Sequence, residues 1–210
     1  MTVSTGDAKL IQYLNEAYGT EKRLETALAA HLAMTTQTRY KKRLKEHLSE
    51  TKRHGRDVEQ RIKQLGGVAE TVSAPGPEPV AEATRAVLSG AQKAMALAQG
   101  SIHALRGTSE QEKQMKNAKT EYVGESEEIA AYTAIETLSE ALGDKETQRL
   151  ARAIRREEER MRKFLEREIP RLTKAVAKVE IPTSERRTPT RVKAPRKRRR
   201  TSKSPARSGS

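Results

Sequence analysis

The sequence predicts an all-α protein: four long helices in one bundle, a shorter helix between the second and third of them, and a basic tail. Three observations predict it. Ala, Leu, Glu, Lys and Arg dominate a chain of 210 residues that has five Tyr, one Phe and no Trp, which is the composition of long helices. Apolar residues recur at 3-and-4 spacing along five separate stretches, one helix face each. The breaks between those stretches hold Gly, Pro or capping residues where helix ends need them.

The first helix is expected from about Asp7 to Met34, with Leu10, Leu14, Ala17, Leu24 and Leu28 on its apolar face, and "TTQT" ends it. The second carries Tyr40, Leu44, Leu48, Thr51, Val58, Ile62 and Leu65, and closes at Gly66-Gly67, the place of a C-terminal glycine cap. "VSAPGPEP" is proline-rich and reads as a connection. A small-residue-rich third helix follows, with Val80, Thr84, Val87, Ala91, Met95, Ala98, Ile102 and Leu105 on one face. Ser109 with Glu112 three residues on is a capping box that opens the fourth helix, which runs to about Leu142. Gly143-Asp144 ends one helix and caps the next. The fifth aligns Leu150, Ile154, Met161, Leu165 and Leu172, with a kink expected at Pro170. The bundle thus spans residues 7–179. Short loops make antiparallel hairpins of the first two and last two helices, and the roughly 40 residues between them can cross the bundle's length. One long crossover is the ferritin-like arrangement.

Residues 183–210 hold 11 Lys/Arg against one Glu, so most of the net charge of +14 belongs to this stretch. It lacks apolar spacing, is rich in Pro, Ser, Thr and Arg, and is expected to be disordered. Five consecutive basic residues, Arg196, Lys197, Arg198, Arg199 and Arg200, can neutralise phosphates and bind DNA without reading its sequence. No aromatic lies among them to stack on bases. With no cysteine, disulfides and thiolate-held metals are excluded. No apolar run approaches a membrane span and no secretory signal opens the chain, so the expectation is a cytoplasmic protein, nucleoid-associated if the tail binds DNA. Phosphate-loop and nucleophile motifs are missing as well.

Carboxylates fall where apolar residues belong. Stepping 100° per residue puts Glu21 near the centre of the first stripe and Glu157 near the centre of the fifth, while Glu125 and Glu128 share the fourth stripe with Tyr122, Ile129, Tyr132 and Ile135. On the second helix His54 lies at the stripe's edge, with Glu50 one turn earlier and nearer the rim. Several ionised carboxylates in one core need shared cations. Two divalent metals, iron or manganese, suit oxygen donors with an imidazole, whereas calcium leaves the histidine unexplained. His47 is expected at the core edge, bonded to a backbone carbonyl, and Glu168 has no evident partner. A duller reading pairs the inward glutamates with arginines such as Arg43, Arg53, Arg155 or Arg156.

The stretches "KLIQYLNEAYGTEKRLETAL", "YKKRLKEHLSETKRHGRDVEQRIKQLGG", "ESEEIAAYTAIETL" and "RREEERM" together resemble the YciE/YciF-type ferritin-like proteins over residues 8–178. The resemblance implies a bacterial, stress-associated homodimer with a dinuclear metal centre, and by position Glu21, Glu50, His54, Glu125, Glu128 and Glu157 as its ligands. Di-iron carboxylate bundles commonly place Glu-x-x-His on two helices. Here the second helix offers Glu50-x-x-x-His54 and the fifth has Arg160 and Met161 where a histidine is wanted, so the expected site is histidine-poor and its reaction, Fe(II) oxidation or peroxide consumption, is open.

Overall fold

The computed structural model describes residues 3–71 and 109–186. Four long helices make up almost all of this: α1 (Thr5–Met34), α2 (Thr38–Gln64), α3 (Glu110–Leu142) and α4 (Lys145–Glu180). They match the first, second, fourth and fifth helices read from the sequence. The third lies outside the described residues, as does the tail beyond residue 186; Thr183–Glu185 form a short 3₁₀ turn. No strand occurs among the described residues, and no helix there is long and apolar enough to cross a membrane.

The helix ends follow the local chemistry. Ser4 and Ser109 accept from the N–H groups of Asp7 and Glu112, both at 3.1 Å. Gly66 (φ 83°) and Gly143 (φ 74°) both adopt the left-handed conformation that only glycine takes without strain. At each, the next residue's N–H turns back onto the helix, Gly67 to Ile62 O at 2.9 Å and Asp144 to Ser139 O at 2.9 Å, a Schellman closure. Asp144 then caps α4 through the N–H groups of Glu146 and Thr147. α4 continues through Pro170 for another ten residues.

Pairings across the helices fix the topology. Gly6 lies against Leu142 and His31 against Glu121, so α1 and α3 are antiparallel. Arg61 meets Thr147 and Arg53 meets Glu157, so α2 and α4 are antiparallel too. With two tight hairpins, α2 and α3 must run in the same direction. The end of α2 therefore lies beside the start of α1, with Gly67 against Ile11, while the start of α3 lies at the opposite end beside Thr36, so the connection between α2 and α3 has to span the bundle's length, as a ferritin-like order requires. The Asn15 side-chain amide holds the beginning of that segment, bonding Val68 O and Glu70 N.

The interior is layered. One apolar cluster gathers Leu14, Ala17, Val58, Ile62, Tyr132, Ile135, Ala151 and Ile154. The other gathers Leu28, Tyr40, Leu44, Ala118, Met161, Leu165 and Leu172. On every helix the buried side chains between these two sets are polar.

Candidate metal centre

Six side chains fill that middle layer: Glu21 from α1, His47 and His54 from α2, Glu125 and Glu128 from α3, and Glu158 from α4. All are 2 % exposed or less. Two overlapping groups emerge, Glu21–His54–Glu158 and His47–Glu125–Glu158, each with donor atoms within 4.8 Å of one another. Glu158 joins them. Its Oε1 lies 2.9 Å from His54 Nδ1 and its Oε2 lies 3.6 Å from His47 Nε2. Glu21 Oε1 is 3.5 Å from His54 Nδ1 and accepts a 2.6 Å hydrogen bond from Tyr132, while Glu125 Oε1 is 2.9 Å from His47 Nε2.

The helical periods explain the gathering. His47 and His54 are seven residues apart, two turns on one face, and Glu125, Glu128 and Tyr132 follow one another at single-turn spacing.

Each histidine is pinned from outside. Glu50 accepts from His47 Nδ1 at 3.1 Å and from Arg43 at 2.9 Å. Glu157 lies 2.8 Å from His54 Nε2 and is held by Arg53. An ionised carboxylate can only accept, so it fixes the proton on the outer nitrogen. His47 Nε2 and His54 Nδ1 are thereby turned toward the inner glutamates. This carboxylate–histidine arrangement is what orients imidazole ligands at metal sites.

The inner groups are poorly served by one another. Among the described residues, ten buried side-chain N and O atoms have no hydrogen-bond partner, and seven belong to this layer: Glu21 Oε2, His54 Nδ1, Glu125 Oε2 and both oxygens of Glu128 and of Glu158. These atoms stand close to one another without hydrogen-bond alignment. Burial pushes the carboxyls of Glu21 and Glu128 up, and that of Glu125 to about 8. Burial pulls His54 down, but the carboxyl groups of Glu158 and Glu21 close to its Nδ1 outweigh it and hold the ring at about 10. Glu125 does the same for His47, well above the usual imidazole range. Burial opposes ionisation of Glu158, yet the two histidines keep it below the ordinary carboxylate value. Outside, His47 and Arg43 overcome burial to lower Glu50 to about 2.

Against the expected ligands, the structure brings Glu21, His54, Glu125 and Glu128 together and places two elsewhere. Glu157 is displaced from the interior by its neighbour Glu158; its side chain is 22 % exposed and paired with Arg53 and Arg160. Glu50 is equally exposed and sits behind His47. His47 itself is fully buried and faces Glu125, with no backbone-carbonyl role. The expectation of a histidine-poor site is corrected: four carboxylates and two imidazoles are present, with both imidazoles on one helix. Arg43 and Arg53 do pair with glutamates, as the duller reading wanted, but with the two outer ones. Glu168 is buried and pairs with Arg171.

A ferritin-like four-helix bundle with a buried carboxylate–histidine layer at mid-length is the class of protein that this fold and site define. The chain belongs to the family described as a domain of unknown function, DUF892, whose family model matches residues 5–105 and 88–178. No curated protein matches. Solved structures do. A protein of Xanthomonas campestris pv. campestris is 22 % identical with a TM-score of 0.64, covering 83 % of this chain and 97 % of its own. YcfI of Rhodopseudomonas palustris is 21 % identical with a TM-score of 0.60, over 78 % and 94 %. The E. coli stress protein YciF is 19 % identical with a TM-score of 0.58, over 81 % and 98 %. Together with the family match, these neighbours support the YciE/YciF-type assignment read from the sequence.

Proposed function

We propose that the protein is a metal-binding bundle that holds two divalent cations, iron or manganese, in the middle layer. Glu21 and His54 would hold one, His47 and Glu125 the other, with Glu158 shared and Glu128 supplying a further carboxylate. The observation that carries this reading is the concentration of unpartnered buried donor atoms in one layer, since such atoms are few in native proteins and call for an explanation. Charge agrees: four carboxylates with two neutral imidazoles balance two divalent ions. Imidazole alongside carboxylate favours iron or manganese over calcium.

When bound, such ions supply one-electron redox chemistry suited to Fe(II) oxidation or peroxide consumption. The chain's own contribution is to pin the two rings, exclude water with the apolar layers on either side, and hold Tyr132 against Glu21. A stress-related role belongs to this reading by analogy with the E. coli neighbour alone.

Elemental mass spectrometry of protein purified from iron- and manganese-supplemented cells tests it, with two metal ions per chain expected. Metal-free protein from both cultures, with a melting temperature that added Mn(II) does not move, would reject it.

The basic run Arg196–Arg200 supports a second, compatible activity, non-specific DNA binding through the tail. Its test is a chain ending at Arg186. That end point keeps the Arg186 guanidinium bonds to Ile181 O and Lys178 O, which close the C-terminus of α4. DNA affinity should fall and lose its steep salt dependence; equal affinity removes the tail from the account.

A further inference from the structure

α3 continues its polar core face beyond the metal centre. Counting back from Glu125, Glu121, Asn117 and Gln114 follow at one-turn intervals, each 2 % exposed or less. They extend about 16 Å along the helix at 1.5 Å per residue, and end beside Thr36 in the α1–α2 loop. The three remaining polar atoms without a partner, outside the metal layer, lie on this row: Gln114 Oε1 and both amide atoms of Asn117. Glu121, one turn deeper, bonds His31 Nδ1 at 2.8 Å and accepts from Tyr40 at 2.7 Å. At the outer end Gln114 Nε2 donates to Thr36 and to Glu110, both at 2.7 Å.

We propose that this row is a transit path along which a divalent cation reaches the metal centre from the end of the bundle where the α1–α2 loop meets the start of α3. The proposal rests on the metal-centre reading. Neutral carbonyl oxygens at Gln114 and Asn117 hold a passing ion weakly enough to release it, the requirement for conduction through any polar path. Glu121 and then Glu125 offer carboxyl oxygens further inward. Glu110 and Glu112, in the first turn of α3, offset the positive end of that helix at the mouth. Two cations at this end are engaged: Lys116 with Glu112, and Arg171 with Glu168 and Gln37. The shorter sideways approach to the centre, past Glu50 and Glu157, is blocked for cations by the guanidinium groups of Arg43 and Arg53 that sit on those carboxylates.

Rapid mixing of the full-length protein with Mn(II), following loss of the aqueous Mn(II) paramagnetic resonance signal, tests the path. Asn117→Leu and Gln114→Met replace the free carbonyls with apolar groups of similar size. Each should slow loading about tenfold, the rate equivalent of one lost polar contact, with the final manganese content unchanged. If Asn117→Leu does not fold, Gln114→Met decides alone. Folded variants that load at the wild-type rate overturn the proposal, as does a lowered final content, which would make these residues ligands of the resting ions. Wild-type protein that takes up no manganese at any time instead overturns the metal-centre reading beneath it.

Discussion

Glu157 and Glu158 are adjacent in sequence and opposite in environment, and they separate ligand from support. Glu158 belongs to both donor groups, so Glu158→Gln should abolish stoichiometric metal at both positions. Within the middle layer Glu157 reaches the outer nitrogen of His54, and it is otherwise paired with Arg53 and Arg160. Glu157→Gln should keep the stoichiometry and weaken affinity about 10- to 100-fold, as outer partners of ligating histidines commonly do. Titration with Mn(II) distinguishes the two, and identical behaviour would contradict the assignment. Glu128 offers the converse test. With neither oxygen partnered, its neutral isostere in size, Glu128→Met, should stabilise the metal-free protein by about 1–3 kcal/mol while weakening metal binding, measured by urea unfolding with and without Mn(II). The sequence carried most of this layer: Glu21, Glu125, Glu128 and His54 stood on stripes. It could not choose within "EEE" at 157–159, because neighbouring residues point 100° apart and a stripe defined by apolar residues locates its centre no better than that. The signal for His47 was its seven-residue spacing from His54, two whole turns on one face.

At the scale of helices, the ends were legible because each is local chemistry: Ser109 with Glu112, Gly66-Gly67 and Gly143-Asp144 all lie where capping rules put them. The reach of α4 past Pro170 was legible as well, because Leu172 keeps the apolar spacing beyond the proline and packs with Met161 and Leu165. Asp144 joins local and long-range order. It caps α4, and both of its carboxylate oxygens also accept from Arg61 Nη2 at 2.9 Å, tying the C-terminus of α2 to the α3–α4 turn. Asp144→Ala should therefore cost about 2–3 kcal/mol, a helix cap plus a charge-assisted bond, and Asp144→Asn should cost less because it keeps an acceptor. Burial opposes ionisation of Asp144, but Thr147 and Arg61 outweigh it and hold the carboxyl below its usual 3.8. A carboxyl depressed in the folded state contributes fully above the unfolded pKa and loses that contribution as pH falls through the folded one. The gap between wild type and Asp144→Ala should accordingly be constant near neutrality and close in acid below about pH 4; a gap that persists in strong acid would mean that the ion pair adds nothing.

On the proposed metal-binding reading, the whole bundle is two apolar clusters that keep a proton-loaded polar layer between them until metal replaces the protons. In the metal-free protein His54 keeps its proton up to about pH 10 and Glu125 up to about pH 8, and burial raises Glu21 and Glu128 as well. Ligands must give up those protons to bind a cation. Loading at neutral pH therefore expels at least one proton from Glu125 and one from His54. The sign follows: because the free protein binds more protons than the loaded one, metal affinity rises with pH. The rise should be steepest below about pH 8, where both groups are protonated, and should ease above it, where Glu125 has already ionised and His54 alone still competes. Calorimetric titration with Mn(II) in buffers of different protonation enthalpy measures the protons released directly, and their number should fall as pH is raised from neutrality toward 9. Tight binding with no proton release would mean that the layer already stands ionised in the free protein. In that case the apolar clusters would be burying a net charge that nothing in the chain neutralises, a cost far above what packing on this scale can offset.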